Sequence, residues 1–254
     1  MIGCKLQGGL GNQMFQIAAA TALALRNNDI VGFNLNACYT PLQGNPSFFY
    51  KTNIFRNIPD IENYNFKYLY TEPKHSYNKI QYREDLCLQG YFQSEKYFYD
   101  YKHEIIKLFS LPEEIINVVK NEFDFDSNIT AVHIRRGDYV NKQNFHPVCD
   151  ADYYMQAVDV VKDGKLLFIS DDIEWVKSSF QGSRVLYSPF SEEILDFALI
   201  TLCKNVIIAN STFSWWGAYL NSNQNKKIIA PKKWFGPSGP ADSQDIIPQE
   251  WIQI

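Results

Sequence analysis

Short apolar runs in the second half of the chain alternate with longer segments whose apolar residues recur three and four apart. ITAVHI (Ile129–Ile134), 166–169, 184–187, 206–209 and 227–230 read as buried strands. Between them, 150–161, 173–180, 191–203 and 215–220 read as helices, with Tyr154, Val158 and Val161 on one face of the first. Asp150 and Ser191 stand where N-caps belong, and Glu192 and Glu193 favour the positive end of the third helix. Strands that alternate with helices predict a parallel sheet covered on both faces. The first half opens in the same way. A strand at 2–6 meets a glycine-rich turn at 7–13 and an alanine-rich helix at 14–26, whose small side chains permit close approach to a sheet. Residues 36–91, rich in Asn, Tyr, Phe and Pro, carry no readable period. Helical spacing returns at 95–109 and at 112–122, where Pro112 suits a first helical position. The polar run FDFDSN at 123–128 is the expected divide. It gives an α/β chain of two Rossmann-like domains, 1–125 and 126–254, facing a central cleft, with ligands at the carboxyl ends of the strands.

Composition narrows the function classes. A net charge of −4 over 254 residues gives no general attraction to nucleic acid or anionic lipid, so an anionic ligand needs a local basic site. The five cysteines (Cys4, Cys38, Cys87, Cys149, Cys203) are odd in number and lack CxxC spacing; they read as free thiols in a reducing compartment. MIGCKLQGG has no signal-peptide pattern, and no apolar run approaches the ~18 residues of a membrane span. A soluble cytoplasmic protein is expected, with at most peripheral membrane association. Aromatics at 15% exceed what a core requires, and the surplus Tyr and Trp suit the apolar faces of sugar rings.

Four stretches carry candidate chemistry. In AVHIRRGDYV (131–140), His133, Arg135, Arg136 and Asp138 crowd the end of a strand, and Gly137 permits a tight turn. One Arg–Asp ion pair would explain a lone arginine. The full group points to a guanidinium fork presented to phosphate oxygens. The RGD tripeptide is an alternative as an adhesion ligand, but that needs an exposed loop on a secreted protein. GGLGNQMFQ (8–16) is a turn feeding a helix. Gly8, Gly9 and Gly11 fit neither the dinucleotide fingerprint nor a P-loop, yet Asn12 and Gln13 add hydrogen-bonding capacity for an anion or sugar hydroxyls. In SDDIEW (170–175), Asp171 and Asp172 either face a ligand or cap the next helix. In ANSTFSWWGAYL (209–220), Ser211, Thr212 and Ser214 bring more hydroxyls to a helix start than one cap requires, and Trp215 and Trp216 read as core. Asp124-Phe125-Asp126 mimics a metal-binding DxD but sits in the expected linker, and the four histidines have no metal-ligand spacing.

Taken together and in this order, GGLGNQMFQ, HIRRGDY, SDDIEW and NSTFSWWGAYL resemble the bacterial α-1,2-fucosyltransferases of glycosyltransferase family 11. The resemblance implies a GT-B fold and no obligatory metal. It implies transfer with inversion from GDP-β-L-fucose to the 2-hydroxyl of a galactose-terminated, possibly lipid-linked oligosaccharide in surface polysaccharide synthesis. It further implies an N-terminal acceptor side and a C-terminal donor side. Arg135 is then the contact to the β-phosphate. His133, Asp171, Ser211, Thr212, Phe213 and Ser214 join the donor site, with the glycine-rich turn. Asp196 corresponds to a carboxylate that reads guanine. Asp138 and then His146 are the candidates for a general base, unless a loose transition state makes a strong base unnecessary.

Overall fold

The computed structural model describes residues 1–37, 44–62, 64–125 and 128–254. Cys38 and Asp126 therefore lie outside the described residues. Cys4, Cys87, Cys149 and Cys203 are free thiols. The chain forms two compact units. One comprises Met1–Pro112 with Asp242–Pro248, the other Glu113–Ala241 with Gln249–Ile254.

The N-terminal unit runs β1 (Ile2–Cys4), α1 (Leu10–Arg26), β2 (Tyr68–Thr71), β3 (Leu86–Gln89) and α2 (Lys102–Leu108). Its parallel sheet has the order β1-β3-β2, so two of its strands come from the stretch without a readable period. β2 is an edge strand and mostly exposed, which erases any alternation there. α1 starts at Leu10, four residues before the expected start. The Gly9 carbonyl already accepts the N–H groups of Asn12 and Gln13, at 3.0 and 3.1 Å. Gly8 turns the chain into the helix at φ 76°, the left-handed region that favours glycine. The helix expected at 95–109 breaks into 3-10 turns at Glu95–Tyr97 and Tyr99–Tyr101 before α2, because Phe98 leaves helical geometry (φ −134°) to become fully buried.

The C-terminal unit runs α3 (Glu113–Glu122), β4 (Ile129–Ile134), α4 (Ala151–Val161), β5 (Lys165–Ser170), α5 (Ile173–Ser179), β6 (Val185–Tyr187), α6 (Glu193–Leu202), β7 (Asn205–Ile207), α7 (Thr212–Tyr219), β8 (Ile228–Ala230) and β9 (Ile252–Gln253). α3 packs on α6, and this moves the division from 125/126 to Pro112/Glu113. All strand pairs are parallel, in the order β6-β5-β4-β7-β8-β9. The chain winds away from β4 in one direction and returns to start β7 on its other side. The crevice at the carboxyl ends of β4 and β7 is therefore the topological switch point, where open α/β sheets bind ligands.

The core of this unit lies on both sheet faces, with Val132, Ile134, Phe168 and Ile207 packed against Tyr154, Ala157 and Val161 of α4. Asp150 caps α4 by accepting the Tyr153 N–H at 2.9 Å. Ser191 caps nothing: Glu192 takes the N-cap of α6 and makes no side-chain bond. α7 begins three residues before the expected 215, and Trp215 and Trp216 are fully buried. Among the described residues no helix is long and apolar enough to cross a membrane.

Candidate functional site

The register of β4 and β5 pairs Ile134 with Ser170, so Arg135 and Asp171 leave the sheet side by side. The Arg135 guanidinium bridges two carboxylates, Asp171 and Asp138, each at 2.8 Å. Gly137 makes the first of these reachable, since a Cβ there would stand 2.3 Å from Asp171 Oδ2. Burial opposes the Arg135 charge, and the two carboxylates overcome it, so the group stays firmly cationic. Two of its five N–H donors are spent on these pairs, and the side chain is 35% exposed. It is a preorganised cation with donors in reserve.

Arg136 is arranged quite differently. Its Nε donates to Asp172 at 3.0 Å, and its guanidinium lies 3.7 Å over the Trp175 ring. Asp172 also caps α5 by accepting the Trp175 N–H. The two adjacent arginines therefore separate by role. Arg136 closes the β4–β5 edge, and its partner is Asp172, not the Asp138 that sequence proximity favours. Asp171 is no helix cap: besides Arg135 it accepts the backbone N–H of Arg136 at 2.9 Å.

The remaining candidates lie around this point in varied states. His133 is 5% exposed, its ring 5.6 Å from that of Phe213. Burial, reinforced by the Arg135 charge, pushes its imidazole down to about 3, so it is neutral. Its Nδ1 is buried without a hydrogen-bond partner. Ser211 occupies the N-cap of α7 without a side-chain bond, while the Ser214 hydroxyl is wholly buried and donates to the Ser211 carbonyl at 3.2 Å. Ser214 is thus spent inside the helix, and Ser211, Thr212 and the backbone N–H groups of the first turn lie at its start. Asp196, in the first turn of α6, accepts the Ser188 hydroxyl just beyond β6. Burial raises its carboxyl to about 6, against the pull of that hydrogen bond.

The two candidate bases are held in different ways. Burial would raise the Asp138 carboxyl, but the Lys142 hydrogen bond (3.0 Å) and the Arg135 charge hold it below the usual range, which makes it a weak proton acceptor. His146 stacks on Tyr139 (centroids 4.6 Å, planes 9° apart) and meets Phe145 and Phe235, with its Nδ1 buried and without a partner. Burial lowers its pKa, and the residue is half-buried. Tyr139 was missed by sequence reasoning, and Asn210, at the head of the NSTFS stretch, was given no role of its own there. The Tyr139 hydroxyl donates to the Asn210 carbonyl at 3.2 Å, tying the turn after β4 to the end of β7. The Asn210 amide donates to the carbonyls of Pro147 and Trp234. A Tyr in a post-strand turn and an Asn ending an apolar run were the available signals.

In the N-terminal unit, Gly8, Gly9, Gly11, Asn12 and Gln13 gather at the carboxyl end of β1. Gln13 is 2% exposed and donates to the carbonyls of Gly8 and Asn45 at 2.8 and 2.9 Å. Its amide shapes the turn; Asn12, partly exposed, accepts from the Gln93 amide at 2.8 Å. Glu72 and Gln93, which carried no sequence signal, join this edge through the loops after β2 and β3.

The family model for glycosyl transferase family 11 matches residues 1–254. The O-antigen biosynthesis glycosyltransferase WbnK of Escherichia coli is 31% identical over 306 aligned positions, covering 100% of both chains. An α-1,2-colitosyltransferase of Escherichia coli is 28% identical, covering 100% of this chain and 99% of its own. A galactoside 2-α-L-fucosyltransferase of Caenorhabditis elegans is 28% identical, covering 89% of this chain and 70% of its own. Among solved structures, the fucosyltransferase NodZ of Bradyrhizobium, determined as an α-1,6-fucosyltransferase soaked with GDP-fucose, superposes with a TM-score of 0.54. It is 16% identical and covers 86% of this chain and 92% of its own, so the likeness is one of fold: GT-B-type, α/β, with parallel sheets. Motifs, fold and the match of the whole chain agree that this protein belongs to glycosyl transferase family 11.

Proposed function

We propose that the protein is an inverting transferase that moves L-fucose from GDP-β-L-fucose to the 2-hydroxyl of a galactoside, forming an α-1,2 linkage in a surface polysaccharide precursor. The observation that carries this reading is Arg135. A half-exposed guanidinium, gripped by Asp138 and Asp171, stands at the carboxyl end of β4 beside the topological switch point. As the C1–O bond to the donor diphosphate breaks, negative charge grows on the β-phosphate. Arg135 and the N–H groups opening α7 would receive it without reorganising, the arrangement that lowers such barriers most. Asp196 would accept the N1–H and amino group of guanine. The C-terminal unit is the donor side, and the N-terminal unit, with Asn12, the acceptor side. No metal is assigned; among the described residues no three His, Cys, Asp or Glu side chains cluster as a metal site. Asp138 is read as a holder of Arg135. The acceptor hydroxyl oxygen attacks C1 as the bond to the diphosphate breaks in an oxocarbenium-like transition state, and its proton passes late to an oxygen of the departing diphosphate or to water.

A second reading keeps the site and changes the donor to GDP-colitose, and the 28% identical colitosyltransferase favours it. Colitose lacks the 3-hydroxyl of fucose, and a site built to bind that hydroxyl rejects the deoxy sugar by orders of magnitude. GDP release from GDP-fucose, GDP-colitose and GDP-mannose, with and without β-galactosides, separates the readings. Transfer from GDP-fucose to a galactose 2-hydroxyl, read by NMR of the product, is the expected result. Turnover of GDP-colitose or GDP-mannose at an equal or higher rate overturns fucose specificity.

A further inference from the structure

β6 is an edge strand of the C-terminal sheet, and its ladder does not stop at Tyr187. The Ser188 N–H donates to the Phe168 carbonyl of β5 at 2.9 Å. Pro189 follows, and a residue before proline is restricted to extended backbone, so sequence and sheet hold Ser188 in the same way. The Ser188 Oγ then accepts the Phe190 N–H at 3.2 Å as the chain turns towards α6. Its single O–H donates to Asp196 Oδ1, in the first turn of that helix. Backbone and side chain of Ser188 are thus each fixed by partners of their own, at the carboxyl end of the sheet where ligands bind.

Asp196 receives little else. Among the described residues the Ser188 hydroxyl is the one hydrogen-bond donor to its carboxylate, and no ion pair reaches it. Burial works against its charge, and so does Glu193 on the same helix. Neither α3 nor α7, the helices packed on α6, nor β6 brings a charge to bear on it among the described residues. The residue is partly exposed, and a carboxylate offers about four lone-pair sites, of which Ser188 takes one. A purely structural carboxylate in such a place would have its oxygens satisfied from within the unit. The unused capacity points to a ligand that carries N–H donors.

We infer that Ser188 is a positioning residue for guanine: its hydroxyl pins one oxygen of Asp196 and keeps the carboxylate an acceptor for the N1–H and amino group of the base. The inference rests on the reading of the C-terminal unit as the donor side. A hydrogen bond given to the charged form of a carboxyl favours that form. Here it pulls against burial and Glu193, and the balance stands at about 6. Without the hydroxyl, Asp196 takes up its proton at higher pH, and an O–H then stands opposite the N–H donors of guanine. The resulting loss of affinity depends on pH, which the loss from a packing defect does not.

Two measurements test this, one with nucleotide and one without. Calorimetric Kd values for GDP between pH 5.5 and 8.5 are compared in wild type, Ser188→Ala, Ser188→Thr, Asp196→Ala and the double variant Ser188→Ala/Asp196→Ala. A hydrogen bond to a charged group is worth about tenfold, so the pH below which affinity falls should move from about 6 to about 7 in Ser188→Ala. Its affinity should then be about fivefold below wild type at pH 6 and within about twofold at pH 8.5. Threonine keeps the hydroxyl and the wild-type profile. In the Asp196→Ala background, Ser188→Ala should cost less than about twofold at every pH. A loss in Ser188→Ala that is equal at every pH, or that persists without Asp196, overturns the inference. The side-chain carboxyl resonance of Asp196, followed by pH titration of ¹³C-labelled protein without nucleotide, should shift its midpoint upward in Ser188→Ala and not in Ser188→Thr. A midpoint unmoved in Ser188→Ala also overturns the inference. Should the protein bind no GDP, the donor-side reading fails, and the titration alone decides the link from Ser188 to Asp196.

Discussion

Replacing Arg135 with alanine separates catalysis from folding. The ion pairs it loses are both partly solvated, with side-chain exposures of 35% for Arg135, 44% for Asp138 and 27% for Asp171. Pairs of that kind contribute about 0–1 kcal/mol each. Neither carboxylate is orphaned, because Asp138 keeps Lys142 at 3.0 Å and Asp171 keeps the Arg136 N–H at 2.9 Å. The unfolding free energy should fall by no more than ~2 kcal/mol, a shift of a few degrees in Tm for a chain of this size. Catalysis should respond on another scale. Loss of one preorganised donor to developing negative charge costs ~3–4 kcal/mol, or about 10²–10³ in rate. Arg135→Lys keeps the charge but loses the planar fork, and falls between alanine and wild type. The assay is steady-state GDP release from GDP-fucose with a saturating β-galactoside, with Tm measured on the same samples. An alanine variant that keeps a third or more of wild-type kcat/KM refutes the reasoning. So does one that loses activity only in step with a collapse of Tm.

Arg136→Ala, the neighbouring charge deletion, removes a stacking contact and an ion pair, so it should cost ~1 kcal/mol of stability while GDP release stays within about threefold of wild type. For Asp196→Asn, removal of a charged partner for guanine should weaken GDP binding by about tenfold or more in calorimetry. In the wild-type protein the same affinity should fall as pH drops through about 6, where Asp196 takes up its proton. The stability effect runs the other way. A folded pKa above the unfolded one favours folding at low pH, and that contribution is lost as pH rises through about 6. Asp196→Asn should therefore raise stability at pH 7.5, by up to ~3 kcal/mol. Asp138→Asn and His146→Gln should each lower kcat by less than the ~10²-fold minimum expected for loss of a general base; a larger loss in either identifies the base. Activity should persist in excess chelator, and loss restored by a divalent ion would end the metal-free reading.

The C-terminal half was legible because β4, β7 and β8 are buried at every position and read as unbroken apolar runs. β4 was bounded to the residue. The N-terminal half was not, because β2 is an exposed edge strand and β3 has four residues in a stretch crowded with aromatics. Local signals also misled at helix starts. Ser191 has the right chemistry for a cap, yet Glu192 takes the position. The glycines before α1 suggested a longer turn, but Gly9 opens the helix at once. At the site, the sequence located the cations but not their partners. Arg135 and Arg136 are adjacent in sequence, and only the register of β4 against β5 gives one to Asp171 and the other to Asp172. Glu72 and Gln93 were illegible for the same reason: their meaning lies in contacts across tens of residues, to Phe92 and Asn12.

The most direct test is a crystal structure of the protein with GDP bound. The β-phosphate oxygens should lie within ~3 Å of the Arg135 guanidinium, with the N–H groups opening α7 as the second set of donors. A diphosphate held elsewhere, with Arg135 still engaged only by Asp138 and Asp171, contradicts the assignment on which the proposed chemistry depends.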